Sequence, residues 1–266
     1  MRRLLVNADD FGFTRDVNQG IIEAHRNGIL TAATLMSTGN AFDDAVSLAK
    51  ENPALDVGCH LVLVGSPGVT LRDLPGTVPQ LVQAIALGRI RMYDELAGQV
   101  RKILAAGLAP THLDTHKHTH LLPPVLDAVA RISQEFAIPW VRRPFDFPMH
   151  SRRAGIVKRA VSGSFGVVRG RFERELARHG CRSTDHFAGF QITGNYDARE
   201  LAALIRALPE GSTEFMCHPG FCGPELRAAS TRLKESRERE LRALTSSEVR
   251  MALKEARVDL ASYRDL

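Results

Sequence analysis

The chain is poor in the residues that mark several protein classes. Among its 266 residues are only four cysteines, and no two of them form a C-x-x-C pair. This excludes the disulfide framework of a small secreted domain and a paired-cysteine zinc motif. No apolar run approaches the roughly 18 residues that a membrane-spanning helix needs. We therefore predict no integral membrane segment.

Aromatic residues are also scarce. The chain has only 16 of them, and they do not alternate with basic residues as on a nucleic-acid-binding surface. We therefore predict no nucleic-acid partner. The N-terminal apolar stretch Leu4–Val6 is too short for the apolar core of a signal peptide, which predicts a cytoplasmic protein.

Positive charge is distributed unevenly in a chain whose formal net charge is +5. Between Arg142 and Arg182, eleven arginines or lysines accompany three acidic residues. Two interpretations stay open: a solvated helix surface, or a surface that meets an anionic substrate, a phosphate group or a membrane leaflet. Residues 144–186 also lack regular periodicity. We predict a single domain, 1–266, that contains a basic irregular segment at about 144–186.

Short apolar runs alternate with segments of helical periodicity. Strands are predicted at 3–7, 30–37, 56–63, 111–116, 140–143, 212–217 and 258–261. Helices are predicted at 16–26, 41–51, 93–106, 123–136, 197–207, 237–244 and 246–256, and a loop at 65–80. This alternation predicts an α/β protein with a mainly parallel sheet, of a length that an α/β barrel can fill.

Histidines are concentrated in one segment. His112, Asp114, His116, His118 and His120 occupy alternate positions, so they share one face for as long as the segment stays extended. Imidazole is a common metal ligand that titrates near neutral pH. The pattern favours a metal or proton-transfer site, and the alternative is a solvated polar strand.

Polar residues also end three other predicted strands. Asp9 and Asp10, His60, and His218 follow apolar runs, and the carboxyl ends of barrel strands carry the chemistry. Two histidines and a carboxylate leave coordination positions open for water and substrate. A second carboxylate can then take a proton from water, and a further histidine can donate one. The buried thiols Cys59 and Cys217 are predicted to pack behind the site.

Four motifs in this order resemble those of the YdjC-like carbohydrate deacetylases, and the resemblance runs from residue 3 to the C-terminus. That family includes a chitooligosaccharide deacetylase and a protein of hopanoid biosynthesis. The motifs are Asn7-Ala8-Asp9-Asp10-Phe11-Gly12, Gly58-Cys59-His60-Leu61, Thr111-His112-Leu113-Asp114-Thr115-His116-Lys117-His118-Thr119-His120 and Cys217-His218-Pro219-Gly220. Many relatives have Ser at the position of Thr115, which leaves the ligands unaffected.

The resemblance implies a distorted (β/α) barrel, like that of polysaccharide deacetylases, and one divalent metal ion, Mg²⁺ or Zn²⁺. It implies that Asp10, His60 and His116 bind this ion. Asp9 would be the general base, and His218 the general acid or the group that stabilises the oxyanion.

Other residues near these motifs receive supporting roles. Asp114 is expected to orient a ligand, and His118 and His120 to line the substrate cleft or to bond to groups behind the ligands. His112, earlier in the strand, is expected to be structural. Arg142 follows a strand that ends near the site and is expected to contact substrate.

The expected reaction is hydrolysis of an N-acetyl group from an amino sugar, with release of acetate. The sugar, its attachment to a lipid or an oligosaccharide, and a homodimeric state are left open. Three alternatives remain: a metal-assisted phosphoesterase, favoured by the basic segment; a non-haem iron oxygenase, disfavoured by the helix–strand alternation; and a sugar-binding relative without turnover, disfavoured by the Asp9-Asp10 pair.

Overall fold

The computed structural model describes residues 1–147 and 169–266, and its centre is a sheet of eight parallel strands. Seven strands follow the spatial order β5-β4-β3-β2-β1-β7-β6, and β8 pairs with the first residues of β1. Their bounds are β1 Arg2–Phe11, β2 Ala32–Leu35, β3 Asp56–Leu61, β4 His112–Thr115, β5 Trp140–Val141, β6 His186–Ala188, β7 Gly211–Cys217 and β8 Val258–Leu260.

The sheet is curled, and its two edges approach each other. Trp140 at the β5 edge forms a parallel bridge with Arg182, and Asp146 forms another with Phe187 of β6. These isolated bridges close the side opposite β1. The predicted α/β class and distorted (β/α) barrel are confirmed.

Helices cover the outside of the barrel. The longer ones are α1 Arg15–Asn27, α2 Phe42–Glu51, α3 Val78–Ala86, α4 Met92–Ala105, α5 Pro123–Glu135, α6 169–178, α7 Ala198–Arg206, α9 Glu235–Leu244 and α10 Ser247–Ala256, and α8 Pro224–Ala228 is a single short turn. Apolar faces of these helices and of the strands form one main core. No described helix has the length and apolar character needed to cross a bilayer.

Helix α3 begins at the end of the predicted loop over 65–80, so that prediction is wrong only for residues 78–80. Thr77 caps the Gln80 amide while the Gln80 side chain accepts from the Thr77 amide, and Pro79 lies in the first turn. This capping box was readable in the sequence. No helix was predicted at 78–86, where the helix is short and buries only Leu81.

The histidine-rich segment also departs from the extended form. β4 ends at Thr115, and a 3₁₀ segment runs from His116 to Leu121. Inside it, Lys117 and His118 have left-handed backbone angles, with φ of 55° and 51°. The shared face of alternating residues therefore ends at Thr115, because the chain turns at the carboxyl end of the strand.

The basic irregular segment is described only in part. Residues 169–178 form α6 and 186–188 form β6, neither of which was predicted individually. The four basic residues Arg152, Arg153, Lys158 and Arg159 lie outside the described residues.

Candidate active site

The carboxyl ends of four strands in one part of the sheet bring the predicted residues together. β1 carries Asp9 and Asp10 at its end, β3 carries His60, His116 follows β4, and His218 follows β7. Because β4, β3, β2, β1 and β7 are consecutive in the sheet, these ends meet at one rim. His60 lies opposite Asp114 in the β3–β4 register.

Three donor atoms form a nearly equilateral triangle at this rim. His60 Nε2 lies 3.2 Å from His116 Nδ1, and Asp10 Oδ1 lies 3.4 Å from the former and 3.3 Å from the latter. Ligands about 2.1 Å from a tetrahedral zinc ion are separated by about 3.4 Å. Asp10 Oδ1 is buried and makes no regular hydrogen bond with a described residue. The donor set and spacing therefore fit a divalent metal ion.

His60 is held with its Nε2 toward this triangle. Its Nδ1 lies 2.7 Å from Asp114 Oδ1, and the Thr34 hydroxyl donates to Asp114 Oδ2 at 3.1 Å. A carboxylate on the far nitrogen of a histidine fixes its tautomer and orientation for metal binding. Burial lowers the pKa of His60, but Asp114 and Asp10 outweigh it and raise the pKa to about 10.

Arg237 holds the other oxygen of Asp10. Its Nη2 donates to Asp10 Oδ2, and its side chain is 1% exposed. Burial would raise the pKa of Asp10, but Arg237 and the two histidines bring it well below its usual value. Sequence reasoning missed Arg237, although it lies at a core position of α9, four residues before the buried Leu241.

Asp9 is bound by a buried arginine. Arg142 Nη1 and Nη2 donate to the two Asp9 carboxylate oxygens at 2.8 and 2.6 Å. The same guanidinium pairs with Asp114 Oδ2 at 2.7 Å and Glu214 Oε1 at 2.6 Å. Burial would raise the pKa of Asp9, but Arg142 outweighs it and holds the pKa below its usual value. Asp9 is therefore ionised at neutral pH.

This position corrects the expectation for Arg142. Its side chain is only 1% exposed and is enclosed by three carboxylates, so it lies beneath the site rather than in the cleft. The expected contact with substrate does not fit this arrangement. The acidic partner Glu214, in the middle of β7, was not singled out from the sequence.

His218 lies next to Asp9, outside the triad of Asp10, His60 and His116. Its Nε2 is 3.8 Å from Asp9 Oδ2, and its backbone amide donates to Glu240 Oε2 at 2.6 Å. Burial outweighs the nearby carboxylates and lowers the pKa of His218. The imidazole is therefore uncharged near neutral pH. Glu240 was a further residue that the sequence did not reveal.

The remaining histidines have different environments. His120 is fully buried, and its Nδ1 bonds the Thr115 hydroxyl while its Nε2 lies 3.1 Å from the Arg142 carbonyl. It offers no free nitrogen to a substrate, so of its two expected roles the bonds to groups behind the ligands are the ones that the geometry supports. His118 is 8% exposed and packs near Phe187 and Phe190, which leaves its proposed cleft role a prediction.

His112 lies deeper in the barrel. Its Nε2 is 3.0 Å from Asn7 Oδ1, and its ring stacks on Tyr263 with 3.9 Å between centroids. This is the structural environment expected for it. Cys59 and Cys217 are buried thiols, as predicted.

Other features are less suited to hold an ion. Asp9, His60 and Asp114 also bring donor atoms together, but Arg142 already neutralises both carboxylates. A third group, Asp127, Glu175 and His179, lies by a cavity of about 730 Å³ between α4, α5 and α6, but its residues are exposed or half-buried. The Asp10, His60 and His116 group is therefore the best metal site that the described residues offer.

Comparison with known proteins agrees with the motifs. The family model of YdjC-like proteins matches residues 3–255. The chain belongs to the YdjC-like family. Two family relatives, from Brevibacillus brevis and Clostridium beijerinckii, are each 32% identical over 99% of this chain, and the alignments cover 99% and 100% of them. Both are named carbohydrate deacetylases.

A solved structure shares the YdjC-like chain's architecture. A protein of Enterococcus faecalis, whose name suggests cellobiose-phosphate cleavage, is 27% identical with a TM-score of 0.76. The match covers 99% of this chain and 98% of the other. A lactam utilization protein of Thermus thermophilus, 18% identical with a TM-score of 0.52, shares the fold alone.

Proposed function

We propose that this YdjC-like protein is a metal-dependent hydrolase that removes an N-acetyl group from an N-acetylated amino sugar and releases acetate. The observation that carries the proposal is the triad of Asp10, His60 and His116 beside the Asp9–Arg142 pair. The names of the two curated relatives support sugar deacetylation as the reaction class. The substrate is a small carbohydrate, either an oligosaccharide or a glycolipid.

The donor set bears on the identity of the ion. Two imidazole nitrogens and one carboxylate oxygen suit zinc or another transition ion better than magnesium, which prefers oxygen ligands. When bound, the ion would polarise the acetamide carbonyl and make water more acidic. We therefore favour Zn²⁺ over Mg²⁺ as the resident cofactor.

Asp9 is proposed as the general base. It is ionised and held at two points by Arg142, so its orientation changes little when it accepts a proton from the attacking water. The water oxygen bonds to the acetamide carbonyl carbon, and the carbon–nitrogen bond then breaks. The products are acetate and a free amine.

His218 is proposed to act beside Asp9. An uncharged imidazole can donate a hydrogen bond to the developing oxyanion. In the alternative role, His218 would take up the proton that Asp9 accepts and release it to the departing amine; because its Nε2 lies 3.8 Å from Asp9 Oδ2, this transfer needs a bridging water or a closer approach of the two groups. The Glu240 bond to the His218 amide holds the backbone from which this ring extends.

The phosphoesterase alternative loses one of its supports. Arg142, the described arginine nearest to Asp9, is already paired with three carboxylates and has no free pair of N–H donors for a phosphate. Acetate and phosphate release must still be compared directly.

The testing experiment is acetate release by zinc-loaded protein from a panel of N-acetylglucosamine compounds: chitobiose, a nucleotide-linked sugar and a lipid-linked sugar. Asp9→Asn serves as the comparison, because it should keep the metal while lowering kcat by about 10²–10⁴-fold. Acetate from one compound, lost in Asp9→Asn, supports deacetylation and identifies the substrate class. Metal-loaded protein that releases phosphate from generic esters and acetate from none would overturn the proposal. Full activity in Asp9→Asn would remove Asp9 as the base.

A further inference from the structure

The two oxygens of Asp10 have different surroundings. Oδ1 faces His60 Nε2 and His116 Nδ1 at 3.4 and 3.3 Å. Oδ2 faces away from the triangle and accepts a hydrogen bond from Arg237. A carboxylate can bind a metal ion through one oxygen or through both, and Arg237 already occupies one of these oxygens.

Arg237 is placed for this contact. It is 1% exposed, and its Nε donates to the carbonyl of Leu233, just before α9, at 3.2 Å. The aliphatic part of its side chain packs against Gly220: a Cβ added to Gly220 would lie 3.2 Å from Arg237 Cδ. Burying a guanidinium is unfavourable unless a charged partner compensates, and Asp10 is that partner.

Asp10 also has a backbone that needs support. Its φ of 68° lies in the left-handed region, which non-glycine residues seldom adopt. The residue ends the extended part of β1, where the β1–β2 register shifts between Ala8 and Phe11. Arg237 gives this carboxylate a fixed contact from a different element, α9.

We propose that Arg237 is a positioning residue that restricts Asp10 to binding the metal ion through Oδ1 alone. The inference rests on the proposed metal centre. With Oδ2 held, Asp10 contributes a single donor, so more coordination positions stay available to water and substrate. Arg237 thereby determines both the affinity of the site for the metal ion and the number of coordination positions that stay open.

Helix α9 also supports the loop that carries His218. Glu240, one turn after Arg237, is also 1% exposed. It accepts from the His218 amide and the Gly194 amide, each at 2.6 Å, and from the Tyr196 hydroxyl at 3.1 Å. One buried face of α9 thus fixes the metal ligand Asp10 and the loop that carries His218.

Positioning and simple charge make opposite predictions for removal of Arg237. A positive charge beside the site repels a cation, so charge alone predicts tighter metal binding without Arg237. Loss of a group that orients a ligand typically weakens metal binding by about 10–100-fold. The sign of the change therefore distinguishes the two effects.

The experiment measures the Zn²⁺ dissociation constant by competition with a chromophoric chelator for wild type, Arg237→Met, Arg237→Lys and Arg239→Met. Arg239 is exposed on the same helix and is the matched control. We expect about 10–100-fold weaker binding in Arg237→Met, a smaller loss in Arg237→Lys and no change in Arg239→Met. The absorption spectrum of the Co²⁺ form should change in Arg237→Met, since Asp10 can then bind through both oxygens.

Unchanged or tighter Zn²⁺ binding by Arg237→Met would overturn the positioning role. Circular dichroism and urea unfolding of each metal-free variant confirm that folded protein is compared. If Arg237→Met does not fold, Arg237→Lys decides, because wild-type affinity and an unaltered Co²⁺ spectrum in that variant also overturn the proposal. Failure of wild type to bind Zn²⁺ would instead reject the proposed metal centre itself.

Discussion

Arg142 and Asp9 meet through two parallel hydrogen bonds of 2.8 and 2.6 Å between residues 133 positions apart in the chain. The guanidinium matches the carboxylate with two donors in a rigid plane. It also bonds Asp114, which orients His60. One buried arginine therefore connects the proposed base with the support of a proposed metal ligand.

Replacing Arg142 by lysine should lower kcat by about 10²-fold while changing KM little. Lysine keeps the charge but cannot hold both Asp9 oxygens, and small misorientation of catalytic groups reduces rate strongly. Steady-state kinetics on the substrate found in the acetate assay checks this. The matched substitution Arg143→Lys, on the adjacent residue that pairs with Glu173, should leave kcat near wild type. An equal loss in both variants would remove the special role of Arg142.

Replacing either triad histidine should remove the metal from the folded protein. His60→Ala and His116→Ala each leave two donors where three converge, which is too few for a stable site. Metal content after dialysis, measured by mass spectrometry, gives the result. His186→Ala, in β6 and outside the triad, should retain the wild-type content. Full occupancy in His116→Ala would show that the ion is bound elsewhere.

Glu214 should make stability depend on pH. Burial, with Asp114 and Asp9 nearby, outweighs Arg142 and raises the pKa of Glu214 from 4.5 to about 7. At a pH between these two pKa values, Glu214 is ionised in the unfolded chain and protonated in the folded protein. Stability attributable to Glu214 therefore falls as pH rises from about 4.5 to 7 and levels off above, by about 3 kcal/mol in total.

Comparison of wild type with Glu214→Gln isolates this contribution. Glutamine cannot ionise. As the pH rises through that range, the free energy of unfolding of the variant should therefore increase relative to that of wild type. Urea unfolding at several pH values measures the difference. Glu235→Gln, at the exposed start of α9, is the matched control. A constant difference between wild type and Glu214→Gln would mean that Glu214 ionises normally.

Glu95 should stabilise the loop after β3. This buried carboxylate of α4 accepts from the amides of Val69, Thr70 and Leu71 at 2.7, 2.8 and 2.9 Å. Glu95→Gln turns one acceptor oxygen into a donor facing these amides, which should cost about 1–3 kcal/mol. Urea unfolding and faster tryptic cleavage after Arg72 would detect the change.

The neighbouring substitution Asp94→Asn provides the control for Glu95. Asp94 is half-exposed and pairs with the exposed Arg91 at 2.6 Å, so its loss should change stability by less than about 1 kcal/mol. If the two variants unfold alike and resist trypsin alike, the loop is held by other contacts.

Local patterns predicted most elements because helix periodicity and strand ends are local properties. α1, α2, α4, α5, α7 and α10 each begin and end within one residue of the predicted bounds. The predicted strand 111–116 ends one residue early, at Thr115, and the left-handed turn at Lys117 and His118 has no glycine or other local signal to predict it. α3 was missed despite its capping box, since it buries little apolar surface.

Residue types at strand ends were enough to nominate Asp9, Asp10, His60, His116 and His218, since parallel strands deliver their carboxyl ends to one rim. The supporting charges could not be nominated that way. Arg142 has the sequence appearance of a surface arginine, and Arg237 and Glu240 lie among many charges of α9. Which charges are buried, and against which partner, depends on contacts between segments far apart in the chain. Only the tertiary structure decides those contacts, because a buried charge is tolerated only where an opposite one meets it.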